Sequence, residues 1–180
     1  ETKILQTWHG CGAFKRFGFS TAEFIFGDTA KNMKKYPAYA DYDCVTVSSP
    51  EVVWAYAEAM GKKDNPACIK PIGVSRTDIF YDENFIDQAR KKFQKLFSSS
   101  IGKKVILYAP TFRGRSNRAE TPDMLNVKMF YEHLSEEYVL VFKHHPIVRK
   151  KPSIPEEYVD FAIDLSDLMD IEELLCVADI

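Results

Sequence analysis

Apolar positions recur along the chain with two spacings, and the changes between them mark out the elements. Residues 4–9 form a short apolar stretch ending in Trp8 and His9 and read as a strand. Gly10 and Gly12 then make a turn before a basic amphipathic segment with Lys15 and Arg16. Residues 43–47 alternate and are rich in β-branched side chains, which predicts a strand. Ser49 before Pro50, with Glu51 behind it, predicts a helix start, and that helix should run to Met60 and stop at Gly61. A further short strand leads into Gly73 and the polar pair Arg76 and Asp78, a turn that is either pinned by an Arg–Asp pair or lines a cleft.

In the second half, Phe85, Ile86, Ala89, Phe93, Leu96 and Phe97 share one helical face over 83–97, with Arg90, Lys91, Lys92 and Lys95 mostly opposite. The serine-rich break ending at Gly102 puts a domain boundary between Tyr81 and Gly102. The run from 103 to Pro110 is continuously apolar after its lysines, which suits a parallel strand covered on both faces, and Thr111, Arg113 and Gly114 follow it. Residues 138–146 repeat this design, ending in Lys143, His144, His145 and Pro146. Arg113 and these charged residues should therefore lie at the same edge of one parallel sheet. Residues 116–123 read as a loop, 124–137 as a helix, 159–163 as a strand and 164–167 as a turn. A last helix over 170–178 has acidic residues in its first turn, where the helix dipole favours them.

The pattern is α/β with parallel sheets in two parts: 1–80 in one domain, 81–102 as a connecting helix and break, and 103–180 as the first part of another. Both ends are abrupt. The chain enters a strand almost at once and closes on a helix handing over to a strand, so it reads as a fragment truncated at both ends.

Composition changes this picture in two respects. With 180 residues, 46% of them apolar and 28% charged, the chain is an ordinary globular one long enough to bury a core. The formal charge of -2 hides an asymmetry. Residues 156–180 hold nine Asp and Glu and no Lys or Arg, which leaves 24 basic against 17 acidic residues in 1–155. That surplus either is a solvated surface or suits anionic ligands. Lys31, Lys34 and Lys35 fall on one helical face, with the same two readings, a solvated face or one that meets an anionic surface. Cys11, Cys44, Cys68 and Cys176 are scattered, without a CxxC pair, which suits reduced thiols in a cytosolic protein. No apolar run is long enough to span a membrane.

Three loops, Trp8-His9-Gly10, Thr111-Phe112-Arg113 and Lys143-His144-His145-Pro146, end in residues suited to the same chemistry. By itself His9 is either a packed histidine beside Trp8 or a base at the edge of a sheet. Arg and Lys bind phosphate oxygens through charge-assisted hydrogen bonds, and a neutral imidazole can take a proton from a hydroxyl near pH 7. Together the three loops point to phosphoryl transfer.

Four motifs in order, Gln6-Thr-Trp-His-Gly10, Gly73-Val-Ser-Arg-Thr-Asp-Ile-Phe80, Tyr108-Ala-Pro-Thr-Phe-Arg113 and Lys143-His-His-Pro146, resemble those of the CDP-glycerol glycerophosphotransferase family. These are bacterial enzymes that build teichoic acids and related poly(alditol phosphate) polymers. The resemblance implies a GT-B-like fold with parts of two Rossmann-like domains, the first on the acceptor side and the second binding nucleotide. It implies that His9 is the base that activates the acceptor hydroxyl. Arg113 and His145 would hold or neutralise the donor diphosphate, His145 as a protonated group, and Gly10, Thr111 and Lys143 would bind substrate beside them.

The implied reaction transfers glycerol phosphate or ribitol phosphate from a CDP-alditol to a hydroxyl of a lipid-linked or polymer acceptor, and CMP leaves. CDP-glycerol or CDP-ribitol is then a substrate, and no cofactor, metal or nucleic acid is expected; no Asp and Glu cluster with metal-ligand spacing lies near these loops. The resemblance also implies a cytoplasmic enzyme peripheral to the inner face of the membrane, with Lys15, Arg16 and the lysine face over 31–35 meeting anionic lipid. Cys11-Gly12-Ala13-Phe14-Lys15, Ser75 and Gly114 depart from the usual motifs, where Thr-Pro-Leu, Pro and an acid stand. Two alternatives remain open, a GT-B glycosyltransferase using a nucleotide sugar and a non-catalytic module binding nucleotides or polyanions.

Overall fold

The computed structural model of the protein describes residues 2–24, 27–114, 118–122 and 125–180. Ser116, Asp123 and Met124, assigned above to a loop and a helix start, lie outside the described residues. The chain divides into two compact units, Glu1–Asp78 and Ile79–Ile180.

In the first unit β1 (Leu5–Gln6), β2 (Cys44–Thr46) and β3 (Ile69–Lys70) form a parallel sheet in that order. Strand β1 ends earlier than the apolar stretch suggested. Past Gln6 the chain turns out of the sheet: Trp8 adopts φ +44, its amide donates to Gln6 Oε1 at 3.0 Å, and the Thr46 hydroxyl donates to the Thr7 carbonyl at 2.9 Å. Helix α1 (Ala30–Lys35) is capped by Thr29, whose hydroxyl accepts from the Asn32 amide. After β2, the turn Pro50–Val52 leads into α2 (Val53–Ala59). Met60 closes α2 and Gly61 follows at φ +66, as Ser49-Pro50 and Gly61 predict. Val45, Val47, Tyr56, Ala57, Met60 and Ile69 are buried together, with Trp8, Phe17, Tyr39 and Tyr42 packed against them.

The second unit begins with α3 (Glu83–Leu96), capped by Asp82, whose carboxylate accepts from the amides of Asn84 and Phe85. Ala89 and Phe93 are buried as the helical spacing predicts, but Leu96 is 37% exposed; the chain leaves the helix there and Phe97 takes the core position instead. Strands β4 (Lys104–Tyr108), β5 (Tyr138–Phe142) and β6 (Ala162–Asp164) are parallel, with β5 in the middle. Strand β6 starts later than 159, because the turn Glu156–Tyr158 carries the chain to Ala162 and leaves Val159 exposed.

The β5 side chains alternate between two cores. Val139 and Val141 pack with Phe93, Phe97, Leu165, Met169 and Leu174, while Leu140 and Phe142 pack with Val127, Tyr158 and Phe161. All four β5 side chains are at most 1% exposed, each contributing about 1.5–3 kcal/mol by burial. The continuous apolar run is thus covered on both faces. Helices α4 (Val127–Leu134) and α5 (Ile171–Leu175) are both shorter than their apolar patterns. Helix α5 ends early because the chain returns to the free edge of β4. There the Leu107 amide donates to the Ile180 carbonyl at 2.8 Å, and the Ile180 amide to the Val105 carbonyl at 3.2 Å, the parallel pattern. Strand order therefore reverses at β4, and in open parallel sheets the crevice at such a reversal is where ligands bind.

Candidate active site

In the first unit the loop after β1 displays His9. Its ring is exposed and lies on Trp8, with centroids 5.1 Å apart and planes at 20°. Trp8 in turn stacks on Phe17 at 4.9 Å and meets the edge of Tyr56 at 5.5 Å. The positive φ of Trp8 is strained for a bulky residue, and it sits one residue before the histidine. Tyr56 is 1% exposed and its hydroxyl lies 3.4 Å from the carbonyls of both Gly10 and Gly12. Burial raises the pKa of this phenol against the opposing hydrogen bond from Trp8, so it stays a donor. A Cβ on Gly10 would meet only ordinary contacts, 3.5 Å to Trp8 Nε1 and 3.7 Å to Tyr56 Oη. Trp8, His9, Phe14, Phe17, Tyr39 and Tyr56 are among the residues lining a cavity of about 460 Å³. The imidazole is thus exposed on an apolar wall, with its nitrogen atoms open to a ligand.

In the second unit the loops after β4 and β5 leave the same sheet edge side by side, as the apolar runs predict. The Lys143 amide continues the ladder to the Tyr108 carbonyl at 3.0 Å. Phe112 meets His145 with ring centroids 4.8 Å apart, which brings the Thr111–Arg113 loop against His145. Arg113 donates from Nη1 to Thr111 Oγ1 at 2.8 Å and to the Phe112 carbonyl at 3.2 Å. Its backbone pairs with Glu120 in both directions, at 2.8 and 3.0 Å. Gly114 follows at φ +85, where a Cβ would lie 2.4 Å from the Arg118 carbonyl, so the departure from an acid here has a steric reason.

His145 is exposed, and its Nδ1 accepts from the Ile147 amide at 3.2 Å. With Nδ1 engaged by the backbone, Nε2 is the ring nitrogen that faces a ligand. Lys143 is differently placed from the other site residues. Its ammonium donates to the carbonyls of Ser166 at 2.7 Å and Met169 at 2.6 Å, tying β5 to the loop after β6. Tyr56 and Phe112 have no role in the motif-based reading. Nothing in the sequence pattern distinguishes a clamping tyrosine from a core one, but Phe112 lies between two site residues.

Ser75 opens the turn Ser75–Tyr81, where Arg76 and Asp78 are both exposed. Lys15, Arg16, Lys31, Lys34 and Lys35 are exposed too, and Arg16 lies over the Phe24 ring at 5.7 Å. Among the described residues no group of three or more His, Cys, Asp or Glu is placed to hold a metal ion, and no helix is long and apolar enough to cross a membrane.

Residues 1–180 match the family described as CDP-Glycerol:Poly(glycerophosphate) glycerophosphotransferase. The chain belongs to this family. Among curated proteins, the teichoic acid ribitol-phosphate primase of Bacillus spizizenii is 37% identical over 183 residues, covering 99% of this chain and 46% of the relative. The teichoic acid poly(ribitol-phosphate) polymerase of the same organism is 36% identical over 179 residues, covering 98% of this chain and 28% of its own length. The chain thus spans less than half the length of these glycerophosphotransferase-family relatives. Among solved structures, a histidine-to-alanine variant of the wall teichoic acid polymerase TagF matches with a TM-score of 0.75 at 23% identity, over 98% of this chain and 44% of that one. The fold is accordingly GT-B-like α/β, with parts of two Rossmann-like units, each holding three parallel strands.

Proposed function

We propose that the protein transfers an alditol phosphate, glycerol phosphate or ribitol phosphate, from a CDP-alditol to a hydroxyl of a growing or priming polymer. His9 takes the proton of the acceptor hydroxyl. The oxygen then attacks the phosphorus that carries the alditol, a new P–O bond forms, the bond to the other phosphate breaks, and CMP leaves with its electron pair. Arg113 supplies charge to the diphosphate, and His145 donates one hydrogen bond from Nε2. Phosphoryl transfer asks mainly for such positioning and charge stabilisation.

The observation that carries the reading is the contact of Phe112 with His145, which gathers a guanidinium, a hydroxyl and an imidazole donor at the carboxyl ends of β4 and β5. Membership of the family supports the donor class, and the relatives' names support both priming and polymerising acceptors. The test is transfer of labelled alditol phosphate by the full-length protein from CDP-glycerol, CDP-ribitol and, as the competing donor class, UDP-sugars. Transfer from a CDP-alditol is expected, with His9→Ala lowering turnover at least about 10²-fold. Transfer from a UDP-sugar instead, or undiminished turnover in His9→Ala, would remove this mechanism.

A further inference from the structure

Between Lys143 and His145 stands a residue that the proposed chemistry does not use. His144 is 1% exposed, and its ring stacks on Phe142 at 5.8 Å with planes 22° apart. Its backbone amide donates to Ser166 Oγ at 2.8 Å. Ser166 is fixed in turn by Asp164, whose Oδ1 accepts from both its amide, at 2.8 Å, and its hydroxyl. The backbone that carries the imidazole is therefore fixed between the ends of β5 and β6, and the ring itself is held by its burial against Phe142. From this fixed place Nδ1 reaches Thr121 Oγ1 at 3.1 Å.

Thr121 follows Glu120, whose amide and carbonyl are the two partners of the Arg113 backbone. A continuous path thus runs from the sheet to the backbone that carries the guanidinium: Asp164, Ser166, His144, Thr121, Glu120, Arg113. We propose that His144 is a positioning residue for Arg113, acting through the Thr121 hydroxyl. An anion-binding group is effective only when held to within about 0.5 Å of its working place, and a loop at a sheet edge needs a directional tie to achieve that. A buried ring bonded to a hydroxyl supplies one, because in a low-dielectric site the bond is strong and its loss is costly. The inference rests on the reading of Arg113 as a donor-binding group.

The experiment is donor kinetics and melting temperature in the full-length protein with a CDP-alditol as donor. Thr121→Val keeps the shape and removes the hydroxyl. It should lower kcat/KM for the donor about 5- to 10-fold, the cost of one hydrogen bond of roughly 1 kcal/mol, and lower the melting temperature by a few degrees, since the buried His144 Nδ1 loses its partner. Thr121→Ser should restore the value to within about twofold, and His144→Asn, which keeps a polar atom near Nδ1, should outperform His144→Phe.

In an Arg113→Ala background the Thr121→Val loss should disappear, since the path then ends on nothing. Unchanged donor kinetics in Thr121→Val, an equal loss in Thr121→Ser, or a loss that persists in full without Arg113 would each overturn the proposal. Should the His144 variants fail to fold, the two Thr121 variants decide. Arg113→Ala separates the two readings: if it leaves donor use intact, the donor-binding role fails and this inference with it. If it weakens donor use while Thr121→Val does not, only this inference falls.

Discussion

The loop after β1 and the loop after β4 both leave the carboxyl end of a parallel strand, yet different forces hold them. His9 rests on an aromatic pile of Trp8, Phe17 and Tyr56, and the polar ties from the Tyr56 hydroxyl to Gly10 and Gly12 are long, at 3.4 Å. The Arg113 loop is fixed by shorter, directional bonds, with Glu120 on its backbone at 2.8 and 3.0 Å and Thr111 on its guanidinium at 2.8 Å. The sheets beneath differ likewise: β1 has two residues and β5 five. Stacking keeps a ring in place while leaving its nitrogen atoms open to a hydroxyl that arrives from outside. On the proposed function, charge for a diphosphate must instead be placed before the ligand arrives, which directional bonds on a rigid sheet achieve.

The largest effect should come from the sheet beneath the second loop. Leu140→Ala removes a fully buried side chain of β5 and should destabilise the second unit by about 2–5 kcal/mol. Hydrogen exchange should then show lost protection in β4 to β6 while β1 to β3 keep theirs. Equal loss in both units would mean that their rigidity is shared and the contrast is false.

A smaller effect concerns pH. Burial holds the His144 imidazole below the ordinary histidine pKa, the Asp164 carboxylate opposing this and Lys151 adding to it. Because the folded pKa is depressed, the stability from a neutral ring is complete above the unfolded value of about 6.5 and is lost as pH falls below it. The slope is at most ~1.4 kcal/mol per pH unit. Melting curves from about pH 7.5 to about pH 5.5 should therefore fall more steeply for the wild type than for His144→Asn. Parallel curves would mean that the ring is not kept neutral.

The smallest expected effect is in the first loop. Tyr56→Phe should cost only about 0.5 kcal/mol in chemical denaturation, the low end for a hydrogen bond, because the hydroxyl's contacts to the Gly10 and Gly12 carbonyls are long. A loss above about 2 kcal/mol would show that polar ties and not stacking hold this loop.

Much of the second unit was legible because β4 and β5 are continuous apolar runs that end in proline-bearing loops, and the order of the motifs was enough to give the family. The errors have physical sources. The aromatic Trp8 looked like strand, but the Gln6 side chain takes its amide and the Thr46 hydroxyl binds the Thr7 carbonyl, and the chain turns out of the sheet. Leu96 matched the helical spacing of α3 and lost its core place to Phe97 where the helix ends. What sequence alone does not reveal is that backbone carbonyls of a distant loop bind the Lys143 ammonium. A signal for His144 was present. Carried past Phe142, the two-residue alternation of β5 puts His144 on the face of Leu140 and Phe142, toward the interior.

That same alternation sorts the three basic residues after β5. Lys143 goes to the Met169 side, His144 to the Phe142 side, and His145 emerges into solvent beyond the strand. A hairpin or surface loop elsewhere in the chain can gain or lose a residue at little cost, but β5 cannot. One residue deleted from it would send every later side chain to the opposite face, turning Lys143 toward the aromatic core and His144 toward the position where a carbonyl-bound ammonium belongs. Over evolutionary time, then, the length of this strand should be among the least negotiable quantities in the family, held constant even where the identities of its apolar residues drift.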